Sequence, residues 1–400
     1  MTITTYREDG EDVIASELVE RALAMVAVLR ERSPATNVNR RLPAETIAEL
    51  KAAGLLKVLQ APRNGGFGLG MAAHLDVVSA LAQGCGSTAW VTGVTHAHSW
   101  LMSHFHEQAQ AHTYGADPNA MISAVIGPRG RAVRHADRYV LDGMWPFASG
   151  GEHAQFLLLG AVVLHGEQPV DQGEFLVPAS AVTFQDDWHV TGLSGTGSCS
   201  VVAERVEVPR EHFLSMAALG AGHTPGMATH QQGWNHRAAA TPVLIMALAG
   251  PALGLARQAL ADFPGVIGQK SIAYSTLKRS EHLTTHLHLA EAATLVDQAS
   301  LQLYRSARTI DDHAVAGTNP DLLTRARIRL DCAQAVRNCL AAVELLWRDT
   351  GGSGVYRTNP LGQALADLQA MNVHAALALD PAREVYGRVL LGLEPNTPLL

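Results

Sequence analysis

Between Met121 and about Phe213 the chain changes texture, and no other feature constrains its fold as strongly. Short apolar runs of strand length (Ile122 to Ile126, Glu174 to Pro178, Val201 to Val208) are separated there by glycine and proline. On either side the apolar residues recur at helical intervals. Val13, Leu18, Leu23, Val26 and Leu29 share one face near the N-terminus. Ala326, Leu330, Ala333, Val336, Leu340, Val343 and Trp347 do so along Leu322 to Asp349, where Gly351-Gly352 stops the pattern. Helices, then strands, then helices predict an α+β multidomain chain. Its expected parts are an N-terminal α-helical domain over 1–119, a middle β-barrel or sandwich domain over 120–218, and a C-terminal four-helix bundle domain over 219–400.

Local signals refine this order. Pro43 opens a helix from Ala44 to Ala53 that Gly54 ends, the usual asymmetry of proline first and glycine last. Leu55 to Gln60 reads as a strand, followed by a glycine-rich turn and a helix from Met71 to Gln83. The turn is not a dinucleotide-binding loop, because Met71 stands where the third glycine belongs and no βαβ alternation follows. Pro242 to Ala261 is the longest apolar candidate for a membrane span. Gly250-Pro251 and Gly254 interrupt it and Arg257 adds a charge, so it reads as a buried helix pair.

The net charge of -7, with no Lys/Arg run, argues against a nucleic-acid surface. Four scattered cysteines without a CxxC pair suit a reducing cytoplasm, and the polar N-terminus reads as neither signal nor transit peptide. HxH occurs at His96/His98, His104/His106 and His286/His288, but a third ligand at workable spacing is missing, so no metal site is expected.

Trp145-Pro146-Phe147-Ala148-Ser149-Gly150-Gly151-Glu152-His153 lies at a bend between two strand-like segments. Two glycines after a small hydroxyl let a flat ligand approach the backbone. Taken alone, the stretch also reads as a glycine-rich hairpin with a core tryptophan.

The helix-strand-helix order, with Ala53-Gly54-Leu55 and the run Pro62 to Gly68, resembles the acyl-CoA dehydrogenase fold over nearly the whole chain. In detail it looks more like the flavin-dependent monooxygenase branch of that fold, the group D oxygenase components of two-component hydroxylases, whose relatives act on phenols, indoles and dibenzothiophene. The residues that carry the resemblance are Ser87-Thr88-Ala89-Trp90, Trp145-x-Phe147-Ala148-Ser149-Gly150, Gly351-Gly352-Ser353-Gly354 through Asn359-Pro360-Leu361, and Asp367 with His374 before Tyr386-Gly387-Arg388. One departure separates the chain from the dehydrogenases. They need a carboxylate base for a weakly acidic C–H, yet no glutamate follows Asp367 until Glu384. Ala366 also replaces the arginine usual before that aspartate.

The resemblance implies a flavin C4a-hydroperoxide formed from reduced FAD or FMN and O₂, with the reduced flavin supplied by a separate NAD(P)H-dependent flavin reductase. It implies a homotetramer, with Gly351-Gly352 near a neighbour's flavin. Ser149 is expected near flavin N5 and His374 beside the peroxide, where an imidazole titrates near neutral pH. Trp90, Trp145, Phe147, Gly150, Gly351 and Gly352 are the other candidate flavin contacts, with Lys270 where relatives place an arginine on the flavin phosphate. His98, Trp234 and His236 are the substrate candidates. A turn hydroxyl, buried core histidines and a solvated lysine remain the alternatives for Ser149, His98, His374 and Lys270. The expected substrate is a small, largely apolar aromatic, indole-containing or phenolic. Alternatives are an amino-sugar N-oxygenase, an acyl-CoA dehydrogenase-like oxidoreductase with His374 or Glu384 as displaced base, and an inactive scaffold.

Overall fold

A computed structural model describes residues 9–230, 233–268, 270–397 and 400. Five helices come first: α1 (Asp9–Asn39), α2 (Ala44–Ala52), α3 (Met71–Ala82), α4 (Gly86–Met102) and α5 (Glu107–Tyr114). The segment expected to be a strand at Leu55 to Gln60 instead forms buried turns. Its carbonyls accept from the glycine-rich loop: Phe67 N–H on Lys57 O, Gly68 N–H on Gln60 O and Leu69 N–H on Val58 O. Gly66 permits this contact, because a Cβ there would meet Gln60 O at 2.1 Å.

Seven strands follow: β1 (Ile122–Arg134), β2 (Arg138–Trp145), β3 (Phe156–His165), β4 (Gln168–Pro178), β5 (Thr183–Gln185), β6 (Ser200–Pro209) and β7 (Phe213–Ser215). They form one sheet in the order β5-β6-β2-β1-β3-β4-β7. The Trp145–His153 stretch therefore does not close a hairpin. β2 and β3 flank β1 on opposite sides, β2 antiparallel to it and β3 parallel. The stretch is a crossover, a connection that antiparallel neighbours do not need. The sheet curls, since the Tyr139 and Phe175 rings lie 5.1 Å apart although β1 and β3 separate their strands. Inside the curl sits a second hydrophobic core, and Trp145 is part of it.

The remaining helices are α6 (Met216–Ala221), α7 (Ala240–Ile267), α8 (Leu283–Ala316), α9 (Leu322–Asp349), α10 (Pro360–Asn372) and α11 (Leu379–Leu390). α7 is one helix, not the expected pair. It is long and apolar enough to cross a membrane by composition, yet 72% of its most apolar window is buried inside the molecule. Its glycines serve close packing rather than a break: a Cβ on Gly254 would lie 2.1 Å from Ser79 O of α3. α7, α8, α9 and α10 pack together as the bundle, with α3 and α4 against α7. The helical core takes in Leu158, Leu176 and Leu214, which alternate with the residues of the second core and so lie on the opposite, outer face of the sheet.

Candidate functional site

A cavity of about 730 Å³ opens where α4, β1, the loop before β6, α7 and the end of α10 meet. Helical pitch aims Trp90, Val94, Ala97 and His98 from α4 into it. A bulge in β1, where pairing with β3 skips from Val125 to Gly130, turns Ile126 to Arg129 toward its mouth. Val94, Leu244, Leu248 and Val373 give apolar walls. Arg129 is the only Asp, Glu, Lys or Arg among the lining residues described.

Four sequence candidates converge here: Trp90, His98, Ser149 and His374 all line the cavity, with Phe147 at its rim. The indole of Trp90 donates from Nε1 to Ser149 Oγ at 3.3 Å and meets the His374 ring edge-on at 5.7 Å. Ser149 is held by its backbone as well, its carbonyl accepting from Ser123 Oγ at 2.9 Å. Gly150 is left-handed (φ 67°), and a Cβ there would come within 2.7 Å of Val91. Phe147 also adopts a left-handed backbone, φ 73°, where a side chain is strained. Its ring is exposed and stands edge-on to Trp188 at 6.0 Å.

The two histidines differ in tautomer. His98 Nδ1 lies 3.0 Å from Ile122 O, and a carbonyl only accepts, so Nδ1 carries the proton and Nε2 a lone pair. Burial depresses the pKa of His98 to about 4, so the ring is neutral at physiological pH. His374 Nδ1 instead accepts the Ala376 N–H at 3.2 Å, which leaves the proton on Nε2. Burial lowers its pKa too.

Other candidates lie elsewhere. Trp145 is fully buried in the sheet core, its indole donating to Gly160 O at 2.7 Å; it supports the crossover from beneath rather than walling the cavity. Gly130 and Gly143 make room for its ring. Trp234 donates to Glu11 Oε1 at 3.0 Å, and neighbouring Asn235 is tied to Leu59 O. His236 lines a separate cavity of about 230 Å³ with His104 and Arg237. The reason is angular: Trp100, two residues after His98, points away from it and holds this segment by donating from Nε1 to Asn235 O at 2.9 Å. Lys270 donates to Thr350 O at 3.3 Å and Ser353 Oγ at 2.5 Å, so it sits with Gly351 and Gly352 at a second locus. Arg279 approaches Gly351 there.

Two hydroxyls that sequence reasoning missed complete the site, together with Asp367, which the sequence supplied only as part of the motif before His374. Thr196 and Ser198, from the Gly/Ser-rich run Leu193 to Ser198, stack hydroxyls behind Ser149. Asp367, 2% exposed on α10, accepts the Leu193 N–H at 2.7 Å and Gln363 Nε2 at 2.9 Å. It joins the helix leading to His374 to the loop that carries those hydroxyls. No carboxylate lines the cavity among the described residues, and Glu384 on α11 pairs instead with Asn396. The dehydrogenase alternative thus lacks its carboxylate base here. Among the described residues no cluster of three or more His, Cys, Asp or Glu side chains is placed to hold a metal.

This fold and this cavity define the class. The pattern of the acyl-CoA dehydrogenase N-terminal domain matches residues 16–117, and that of the C-terminal domain residues 246–378. Within that class the chain is 31% identical over 98% of its length to the flavin-dependent monooxygenase oxygenase subunit HsaA of Mycobacterium tuberculosis, covering 99% of that protein. It is likewise 31% identical to the FADH(2)-dependent resorcinol hydroxylase oxygenase component of a Rhizobium species, over 95% of each chain. The solved structure of XiaF from a Streptomyces species, in complex with FADH2 and glycerol, superposes with a TM-score of 0.92 at 27% identity, over 98% of this chain and 99% of that one. The chain belongs to the oxygenase components of flavin-dependent monooxygenases.

Proposed function

We propose that this oxygenase component hydroxylates a small, largely apolar aromatic molecule, phenolic or indole-containing, inside the 730 Å³ cavity. The observation that carries the reading is the convergence of Ser149, His98 and His374 on one apolar-walled space. The volume falls within the roughly 300–1,000 Å³ usual for small-molecule sites. Its donor set fits a flavin: flat aromatic and aliphatic walls, with a hydroxyl edge at Ser149, Ser198 and Thr196. Reduced FAD or FMN, when bound, supplies the activation of O₂.

The chain's own residues then have separable tasks. Ser149 and Trp90 hold the flavin edge, and Phe147 covers it. Val94, Leu244 and Leu248 exclude water, which protects against loss of oxidising equivalents as H₂O₂. His98, neutral and bare at Nε2, accepts the proton of a phenol O–H or indole N–H. His374 presents its Nε2–H to the oxygen being transferred. With Arg129 the only formal charge at the walls described, an uncharged aromatic suits the space better than a dianion.

The oxygenase role calls for a separate NAD(P)H-dependent reductase that delivers reduced flavin. A homotetramer, with Lys270, Gly351 and Gly352 facing a neighbouring chain's cofactor, agrees with their position outside the cavity. Anaerobic titration with reduced FMN and FAD, followed by O₂ and a panel of phenols and indoles, tests the reading. Binding of reduced flavin with hydroxylated product is expected; no flavin binding, or H₂O₂ alone from every aromatic, overturns it. Light scattering at micromolar concentration tests the assembly, a single-chain mass excluding the tetramer.

A further inference from the structure

Trp90, Ser149, Ser198, Thr196 and Leu193 form a hydrogen-bond chain whose direction the geometry dictates. Trp90 Nε1–H, a donor only, reaches Ser149 Oγ at 3.3 Å. Ser149 Oγ lies 2.7 Å from Ser198 Oγ, which lies 2.7 Å from Thr196 Oγ1. Thr196 Oγ1 ends 2.8 Å from Leu193 O. A carbonyl oxygen only accepts, so Thr196 gives it its single hydroxyl proton. The Thr196 N–H at 3.1 Å and Trp188 Nε1 at 3.3 Å reach the same oxygen, and the hydroxyl contact is the shortest of the three. Thr196 Oγ1 must then accept from Ser198, and Ser198 from Ser149. With its proton directed to Ser198 and one lone pair on the indole, Ser149 turns only a lone pair toward the cavity.

Thr196 and Ser198 are buried, at 1% and 4% exposure, so bulk water does not re-pair them. Asp367 fixes the far end by holding the Leu193 N–H at 2.7 Å. The central ring of a reduced flavin presents an N–H where the oxidised ring presents a bare nitrogen. An acceptor at Ser149 matches the first and opposes the second. We infer that Ser198 and Thr196 are positioning residues that lock Ser149 as an acceptor and so make the site select reduced flavin over oxidised. This rests on the flavin placement proposed above and adds a device that sets its redox preference.

The test measures dissociation constants of FMN and FAD in both redox states, anaerobically, for the wild type, Ser198→Ala, Ser198→Thr and Thr196→Val. Ser198→Ala frees the Ser149 proton to turn into the cavity. The ratio of oxidised to reduced dissociation constants is expected to fall about tenfold, the scale of one net hydrogen bond. For this two-electron couple that is about 30 mV in the potential of bound flavin. Ser198→Thr, which restores the hydroxyl, is expected to keep the wild-type ratio. Thr196→Val, which removes the acceptor one step further back, is expected to lower the ratio and decides the matter if Ser198→Ala does not fold. A wild-type chain that binds neither form overturns the proposed function itself. Wild-type binding with an unchanged ratio in folded variants, or with both forms weakened equally, overturns this inference alone.

Discussion

Replacing Asp367 with asparagine is expected to change how stability depends on pH, and the sign follows from its burial. The carboxyl is 2% exposed, and desolvation raises its pKa from 3.8 to about 6, although the Leu193 N–H and Gln363 pull it down. Below pH 3.8 the group is protonated in folded and unfolded chains alike. Between 3.8 and about 6 the folded chain keeps a proton that the unfolded chain releases. Stability from this group therefore falls as pH rises through that window and is flat above it. A shift of about two pKa units corresponds to about 3 kcal/mol. In Asp367→Asn the amide oxygen still accepts from Leu193 N–H and Gln363, so the loop stays anchored. Urea unfolding of both proteins from pH 4 to pH 7.5 measures the difference. The variant is expected to gain about 2.4 kcal/mol on the wild type between pH 4 and pH 7, most of the full effect, whatever constant offset the amide brings. A difference that does not change with pH would refute the reasoning. Asp367→Ala, which removes the anchor, is expected instead to raise H₂O₂ per product.

Three further outcomes follow from the cavity. Ser149→Ala is expected to leave the fold intact while removing the acceptor offered to reduced flavin, a loss of about 0.5–1.5 kcal/mol, read as weaker binding of reduced flavin and more H₂O₂ released per hydroxylated product; unchanged affinity and coupling exclude Ser149 from the site. His98→Ala is expected to cut hydroxylation by about 10²–10⁴-fold with flavin affinity retained. Because its pKa is about 4, wild-type activity is expected to lose the His98 base only below about pH 5, and a loss of flavin binding in the variant would assign His98 to the cofactor instead. Phe147→Gly relieves a left-handed backbone that costs about 1–2 kcal/mol, so the melting temperature is expected to hold or rise while flavin affinity falls; an unchanged affinity removes Phe147 from the flavin face.

Much of this molecule is legible in the sequence because period and punctuation are local properties. Helical spacing marked α1 and α9, Pro43 and Gly54 framed α2, and the β texture of the middle was evident in its glycine-separated apolar runs. The resemblance carried Trp90, His98, Ser149 and His374, which come from three separate stretches and line one cavity. Tertiary structure decided what local pattern leaves open. Trp145 and Phe147 are two residues apart, a spacing that strand alternation would put on one face; the strand ends at Trp145, and the left-handed backbone at Phe147 turns its ring to the cavity rim while Trp145 stays in the sheet core. Whether Gly250-Pro251 breaks a helix depends on a neighbour, and α3 packs into the gap that those small residues leave in α7. The partner of a strand is equally non-local: β2 and β3 read as a hairpin until β1 came between them. Hydrogen-bond direction lies furthest from the sequence. Nothing in Leu193 to Ser198 shows which way its hydroxyls point, because Trp90 at one end and Leu193 O, anchored by Asp367, at the other impose that choice only in the folded chain.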